Sequence, residues 1–142
     1  MIREFKISDL DNLKVQPKQA HYTDHIKALA NAGALVDVVT YVEYGEVKAV
    51  IGAQPYWKGR VAVWSMLGDI KNWTACFRQV KASLDNYAKI NNVLRFEITT
   101  EDDFIESERW TKMLGFKYES TMQKFGVDGL DHKMWVMICQ QQ

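Results

Sequence analysis

Apolar and polar positions change their period several times along this 142-residue chain, and each change predicts an element. From Ile2 to Ile7 the apolar Ile2, Phe5 and Ile7 are interrupted by Arg3, Glu4 and Lys6, the pattern of a short strand. Ser8 then has the form of a helix N-cap, with Asp11 at the acidic capping-box position ahead of Leu13 and Pro17 as the stop. A second helix is predicted from about Tyr22 to Ala32. It carries Ile26, Leu29 and Ala30 on one face and ends at Gly33.

Beyond Ala34 the residues become β-branched and aromatic: Val36, Val38, Val39, Tyr41, Val42 and Tyr44 predict a strand. Tyr44-Gly45-Glu46 reads as a hairpin turn. Val47, Ala49, Ile51 and Ala53 alternate along the next strand, which Pro55 should close. Lys58-Gly59 is a second turn, and Val61 to Leu67 is the third strand of an antiparallel meander. Phe77, Val80, Leu84, Tyr87 and Ala88 then recur at three- and four-residue steps, predicting a long helix from about Trp73 to Asn91. Leu94 to Thr99 is a strand, and Glu106 to Leu114 a helix ended by Gly115. Phe116 to Phe125 and Lys133 to Ile138 form a closing pair of strands.

The order is β-α-α-β-β-β-α-β-α-β-β. The long helix acts as a crossover, so the strands on either side of it should run parallel. The expected fold class is α/β (α+β): a mixed, mostly antiparallel sheet of about six to seven strands with helices on both faces. One domain over residues 1–139 and a disordered Gln140–Gln142 tail are expected.

Composition narrows the function. Hydrophobic residues make up 47% of the chain, with five Trp, six Tyr and six Phe, enough to close a core. Eighteen basic residues balance eighteen acidic ones, which argues against a non-specific grip on nucleic acid or an anionic membrane. Cys76 and Cys139 have no metal-ligand or CxxC spacing and fit idle thiols in a reducing compartment. The charged start, Met1-Ile2-Arg3-Glu4-Phe5-Lys6, is unlike a signal peptide, and no apolar run approaches a membrane span. A cytoplasmic protein is expected.

Two stretches carry a family resemblance. The opening Met1-Ile2-Arg3, followed by Ser8-Asp9-Leu10-Asp11-Asn12-Leu13, resembles the common start of the GNAT N-acetyltransferases. Leu94 to Asp102, followed by Trp110-Thr111-Lys112-Met113-Leu114-Gly115-Phe116, resembles that family's fifth strand and its Phe-Tyr-x-x-Leu-Gly-Phe block. A narrower resemblance is to the small GNAT-like proteins of short-tailed bacteriophages, which include a virion-assembly or internal virion protein. It is carried by Ala49-Val50-Ile51-Gly52-Ala53, the basic aromatic helix from Phe77 to Tyr87 and the Asp128-Gly129 turn.

The wider resemblance implies an acyl-CoA-dependent N-acyltransferase that transfers acetyl from acetyl-CoA to a primary amine. The backbone of Ser65, Met66 and Leu67 would seat pantetheine. The segment Lys71, Asn72, Trp73, Thr74 and Ala75 would meet the pyrophosphate at the start of the long helix. In that loop Ile70 and Asn72 replace the two family glycines, and Asp69 stands where a basic residue is expected. The general acid is ordinarily the Tyr of the Leu-Gly-Phe block. Here that position is Thr111, a poorer proton donor, and Tyr118 is the other candidate. Glu97, alternating opposite Phe96 and Ile98, is the candidate base. The alternative reading is a non-catalytic interaction module with a protein partner, such as a phage virion-assembly factor in the host cytoplasm or the virion.

His21 and His25 stand four apart, as two zinc ligands would on one helix face, but a third ligand such as Glu43 or His132 would have to come from afar. No metal site is expected. Trp57 and Trp73 fall in loops or helix starts, where an exposed indole marks either a partner surface or rim packing. Lys71, Arg78 and Lys81 with Trp73 and Phe77 read as a solvated helix face rather than a nucleic-acid surface.

Overall fold

The structure, a computed structural model, describes residues 1–139. Its strands are β1 (Ile2–Glu4), β2 (Val38–Glu43), β3 (Glu46–Trp57), β4 (Arg60–Leu67), β5 (Arg95–Glu101), β6 (Lys117–Met122) and β7 (His132–Ile138). Its helices are α1 (Asp9–Asn12), α2 (Thr23–Asn31), α3 (Trp73–Asn91) and α4 (Ile105–Met113), with a 3-10 segment at Pro17–Tyr22. Apart from that extra segment, the order is the one the periodicity predicts.

The seven strands are hydrogen-bonded in the order β1-β2-β3-β4-β5-β7-β6. β1 with β2, β2 with β3, β5 with β7 and β6 with β7 are antiparallel. β4 and β5 are parallel, as a crossover through α3 requires, with Arg60, Val61 and Ala62 opposite Arg95, Phe96 and Glu97. The backbone forms two compact units. One comprises Met1–Gln54 with Trp64–Val80, the other Pro55–Val63 with the chain from Lys81 onward.

The first unit is built around Leu10, Leu13, Ala30, Val50 and Met66, with Phe5, Ile26 and Trp64 packed against them. Ala49 through Ala53 are all buried, so both faces of β3 are covered there. Gly52 is needed for that packing: a Cβ at this position would come within 2.3 Å of the Trp64 ring. Tyr44 and Gly45 both have positive φ, 51° and 76°, the backbone of a tight hairpin whose twist matches its strands.

Several predicted boundaries move for identifiable reasons. β1 stops at Glu4 because Asp9, not Ser8, organises the entry to α1. Ser8 gives no side-chain cap. The buried Asp9 carboxylate instead accepts the Lys6 N–H, the Thr40 hydroxyl and two bonds from Arg3 at 2.7 and 2.9 Å. Burial opposes the charge, but these partners outweigh it and hold the Asp9 carboxyl at about 2. α1 ends at Asn12, and Pro17 opens the 3-10 segment rather than closing a helix. Pro55 does not end β3. It falls in the exposed stretch from Gln54 to Trp57, the setting in which a strand proline is tolerated.

The second unit buries Leu84, Val93, Phe96, Trp110, Leu114, Phe116 and Trp135. The Trp135 indole donates to Thr100 Oγ1 at 2.8 Å. Gly115, with φ at 96°, ends α4 and releases Phe116 toward β6. Leu94, predicted as the first residue of its strand, lies outside β5 and is half exposed. β6 is shorter than predicted and exposed almost throughout. The predicted tail falls outside the described residues.

Candidate functional site

The end of β4 and the start of α3, both in the first unit, hold the residues expected to meet a cofactor. Gly68 N–H donates to the Lys48 carbonyl of β3 at 2.8 Å. Because strand groups alternate, the N–H and C=O groups of Ser65 and Leu67 then point away from β3. Three of these outward groups are already bonded. Ser65 C=O accepts from Gln19 Nε2 at 3.0 Å, and Leu67 N–H donates to Gln19 Oε1 at 2.8 Å. Leu67 C=O accepts the Gln16 N–H at 2.9 Å. The buried Gln19 carboxamide lies along β4 as a peptide group of a neighbouring strand would, presented by the 3-10 segment. Met66 turns its side chain into the core.

At the start of α3 the first N–H groups lack intrahelical acceptors and carry the positive end of the helix dipole. Glu43, the last residue of β2, meets the two N–H groups just ahead of the helix. Its Oε1 accepts the Lys71 N–H and its Oε2 the Asn72 N–H, both at 2.8 Å. The Tyr41 hydroxyl donates to Oε2 as well, at 2.9 Å. Burial raises the cost of the charge on Glu43, yet the two amides and the phenol hold the carboxyl below its usual range. The same burial, together with the adjacent carboxylate, pushes the Tyr41 phenol up. Asn72 caps the helix through its side chain, which accepts the Ala75 N–H at 3.0 Å.

Ile70 is buried where the family pattern has glycine. The Lys71 side chain lies in solvent and pairs with Asp69 at 2.8 Å. Trp73 is half-buried and Thr74 exposed. Beside this loop an open cavity of about 440 Å³ is walled by Lys14, Pro17, Asp69 and Trp73 among others. The cysteine of this unit, Cys76, is wholly buried, and burial pushes its thiol up to about 12, so it is no nucleophile.

The expected catalytic residues all lie in the second unit. Glu97 is buried and accepts from Arg60 Nε at 2.5 Å, Arg60 Nη2 at 2.9 Å and Arg95 Nε at 2.7 Å. Arg95 also clasps Glu119 with two bonds of 2.6 and 2.7 Å. The Arg60 bonds first, then those of Arg95, hold the Glu97 carboxyl below its usual range despite burial. That is the opposite of the upward shift a buried base at neutral pH requires. Thr111 is buried, and its hydroxyl donates to the Ser107 carbonyl one helical turn back at 2.8 Å. Tyr118 is exposed, its hydroxyl 2.7 Å from Thr121 Oγ1 and its ring edge-on to Trp135. Each of the three hydroxyl or carboxyl groups thus has a neighbour that satisfies it locally.

The histidine pair takes another form. His21 lies in the 3-10 segment against the Tyr22 ring and His25 in α2, so they do not share one helix. Trp57 is well exposed. The Arg60 guanidinium lies 4.7 Å from its ring centre and 4.3 Å from that of Tyr56.

Sequence reasoning passed over Gln19, Tyr41 and Arg60 and considered Glu43 only as a distant metal ligand. The one local signal was Tyr41 and Glu43 at an i, i+2 spacing, which puts both on one face of β2. Nothing local marks Gln19, 46 residues from Ser65.

Neither a protein-family model nor a curated protein matches the chain in sequence. Its fold is matched by solved structures. The Ard1 structure from Thermoplasma volcanium superposes with a TM-score of 0.81 at 16% identity, over 99% of this chain and 98% of that one. A GNAT-family acetyltransferase from Bacillus anthracis gives 0.74 at 15% identity, over 96% and 93%. A spermidine N-acetyltransferase variant from Vibrio cholerae gives 0.69 at 11% identity, over 97% and 94%. At such identities the likeness speaks for architecture alone: this chain has the GNAT acetyltransferase fold.

Proposed function

We propose that the chain uses the GNAT fold as a non-catalytic interaction module. The observation that carries this reading is that several of the backbone groups a coenzyme A would meet are bonded within the chain. Glu43 takes the Lys71 and Asn72 amides, and Gln19 takes Ser65 and Leu67. A pyrophosphate would have to displace a buried, hydrogen-bonded carboxylate from the entry to α3, or sit against it and be repelled. The candidate chemistry in the second unit supports the same reading, since Glu97 is held as an ion pair and the Thr111 proton is committed to a carbonyl. The exposed Trp57 and Tyr56, backed by Arg60, offer the kind of aromatic surface that partners use. The narrower identity, a virion-assembly or internal virion protein of a bacteriophage, rests on the sequence resemblance. Its test is whether the protein is found in purified particles or bound to a virion protein.

The second reading is an acyl-CoA-dependent N-acyltransferase, favoured by the fold it shares with enzymes such as the spermidine N-acetyltransferase. On that reading the Lys71–Ala75 segment binds acetyl-CoA after Glu43 swings away, and Glu97 or Tyr118 manages protons for an amine. Calorimetric titration of acetyl-CoA into the wild-type protein and into a Glu43→Ala, Gln19→Ala double variant separates the two. The module reading expects no heat with wild type at millimolar ligand. Micromolar binding by wild type, weakened by Lys71→Ala, overturns it in favour of the enzyme.

A further inference from the structure

The second unit exposes apolar side chains at both ends of its sheet, and the charges around the two sets have opposite sign. β5 and β7 are antiparallel, with Arg95 opposite Ile138 at one end and Glu101 opposite His132 at the other. The first end also carries the β3–β4 turn, because the Gly59 carbonyl accepts the N–H groups of Leu94 and Arg95 at 2.8 and 2.9 Å. The second end carries the loop between β6 and β7, tied there by the Asp102 N–H bond to the Asp131 carbonyl.

That loop is ordered by its own bonds yet turns its apolar residues outward. Gly126 N–H donates to the Leu130 carbonyl and Gly129 N–H to the Gly126 carbonyl. The Asp128 and Asp131 carboxylates accept the N–H groups of Leu130 and Lys124. Phe125, Val127 and Leu130 are nevertheless exposed, Val127 to 93%. A loop held in this way has little order to gain on docking, so its apolar knob meets a partner at low entropic cost. Over residues 101–106 and 124–131 the exposed charges are Asp102, Asp103, Glu106 and Asp128 against Lys124, so the knob is acidic.

The opposite end is its complement. Tyr56, Trp57, Leu94 and Ile138 are all exposed there. Residues 55–60 and 89–95 hold Lys58, Arg60, Lys89 and Arg95 and no acid. Glu97 and Glu119 answer the two arginines, which leaves the lysines to set the sign.

We infer that the acidic knob of one copy of this chain docks on the aromatic shelf of a second copy, a head-to-tail contact between unlike surfaces. Knob against knob, or shelf against shelf, sets like charges together, whereas knob on shelf brings carboxylates to lysines. The inference rests on the interaction-module reading and names its partner. A pair formed this way still presents one knob and one shelf, so assembly continues beyond a dimer unless it closes into a ring.

The test is sedimentation equilibrium of the full chain from about 10 to about 500 µM, a range suited to small, transient contacts below about 1,200 Å². The weight-average mass should rise past that of a dimer, and half-molar chloride should lower it. Val127→Asp and Trp57→Ala each change an exposed side chain, so each should keep the wild-type melting temperature and yet run alone as a monomer. Mixed one to one, the two variants should form dimers, since one supplies an intact shelf and the other an intact knob. Tyr44→Asn alters an equally exposed residue of the first unit and should associate as wild type does. A wild-type chain that stays monomeric throughout overturns the inference, as does either variant that associates alone. Monomeric wild type leaves the module reading standing with a different partner. Micromolar acetyl-CoA binding strikes that reading instead and leaves the measured mass to decide self-association.

Discussion

Glu43 in the first unit and Glu97 in the second are both buried strand carboxylates held below their usual titration range, but by different partners. Glu43 is held by neutral donors: two backbone amides just ahead of α3 and a phenol. Glu97 is held by two guanidinium groups that are themselves about one-third exposed. The first arrangement satisfies two amides at the entry to α3. The second cross-links parallel neighbours β4 and β5 through their side chains, since Arg60 and Arg95 are register partners. A buried carboxylate in this fold therefore needs no catalytic explanation, and the kind of partner decides what its removal costs.

The largest expected effect breaks the comparison on the charged side. Glu97→Ala leaves two cations facing each other and should lower unfolding free energy by about 3 kcal/mol, read by urea denaturation. Glu43→Ala strands the buried Tyr41 hydroxyl and two amides that water can reach, so about 2 kcal/mol is expected. Salt sharpens the contrast. Half-molar chloride should shrink the Glu97→Ala penalty, because the arginines are partly exposed, while leaving the Glu43→Ala penalty nearly unchanged.

A smaller effect appears in the acid limb of stability. Asp9 sits at about 2 in the folded chain against about 3.9 unfolded. A depressed carboxyl contributes stability above its unfolded value and loses it as pH falls through the folded one. Glu43 and Glu97 act in the same direction. The melting temperature should therefore fall steadily from pH 5 to pH 2, and Asp9→Asn should flatten that slope while lowering stability at neutral pH. The smallest effect is expected from Lys71→Ala. Its partner Asp69 is exposed, as it is, so the melting temperature should not move measurably.

The element order was legible because periodicity is local. Trp73–Asn91 was bounded correctly by its apolar stripe alone, and Gly33, Gly45 and Gly115 mark turns where the backbone has positive φ. Boundaries failed where a distant side chain took over. Asp9, rather than Ser8, governs α1 because its carboxylate reaches Arg3 and Thr40. The proposed cofactor segment was legible as a helix start, and the replacement of its glycines could be read directly. Which group fills that helix start could not, since Glu43 is 28 residues away from Lys71.

By itself, then, the sequence determined the succession of strands and helices, the parallel crossover and the departure of the Ile70–Asn72 loop from the glycine pattern. Those depend on side-chain spacing and on backbone preferences of single residues. Only the tertiary structure decided that Glu43 takes the Lys71 and Asn72 amides, that Gln19 pairs with Ser65 and Leu67, and that Glu97 is an ion-pair partner. Hydrogen bonds and desolvation depend on which groups meet in space, and pairs such as Gln19 with Leu67 or Arg60 with Glu97 leave no trace in any local window of the chain.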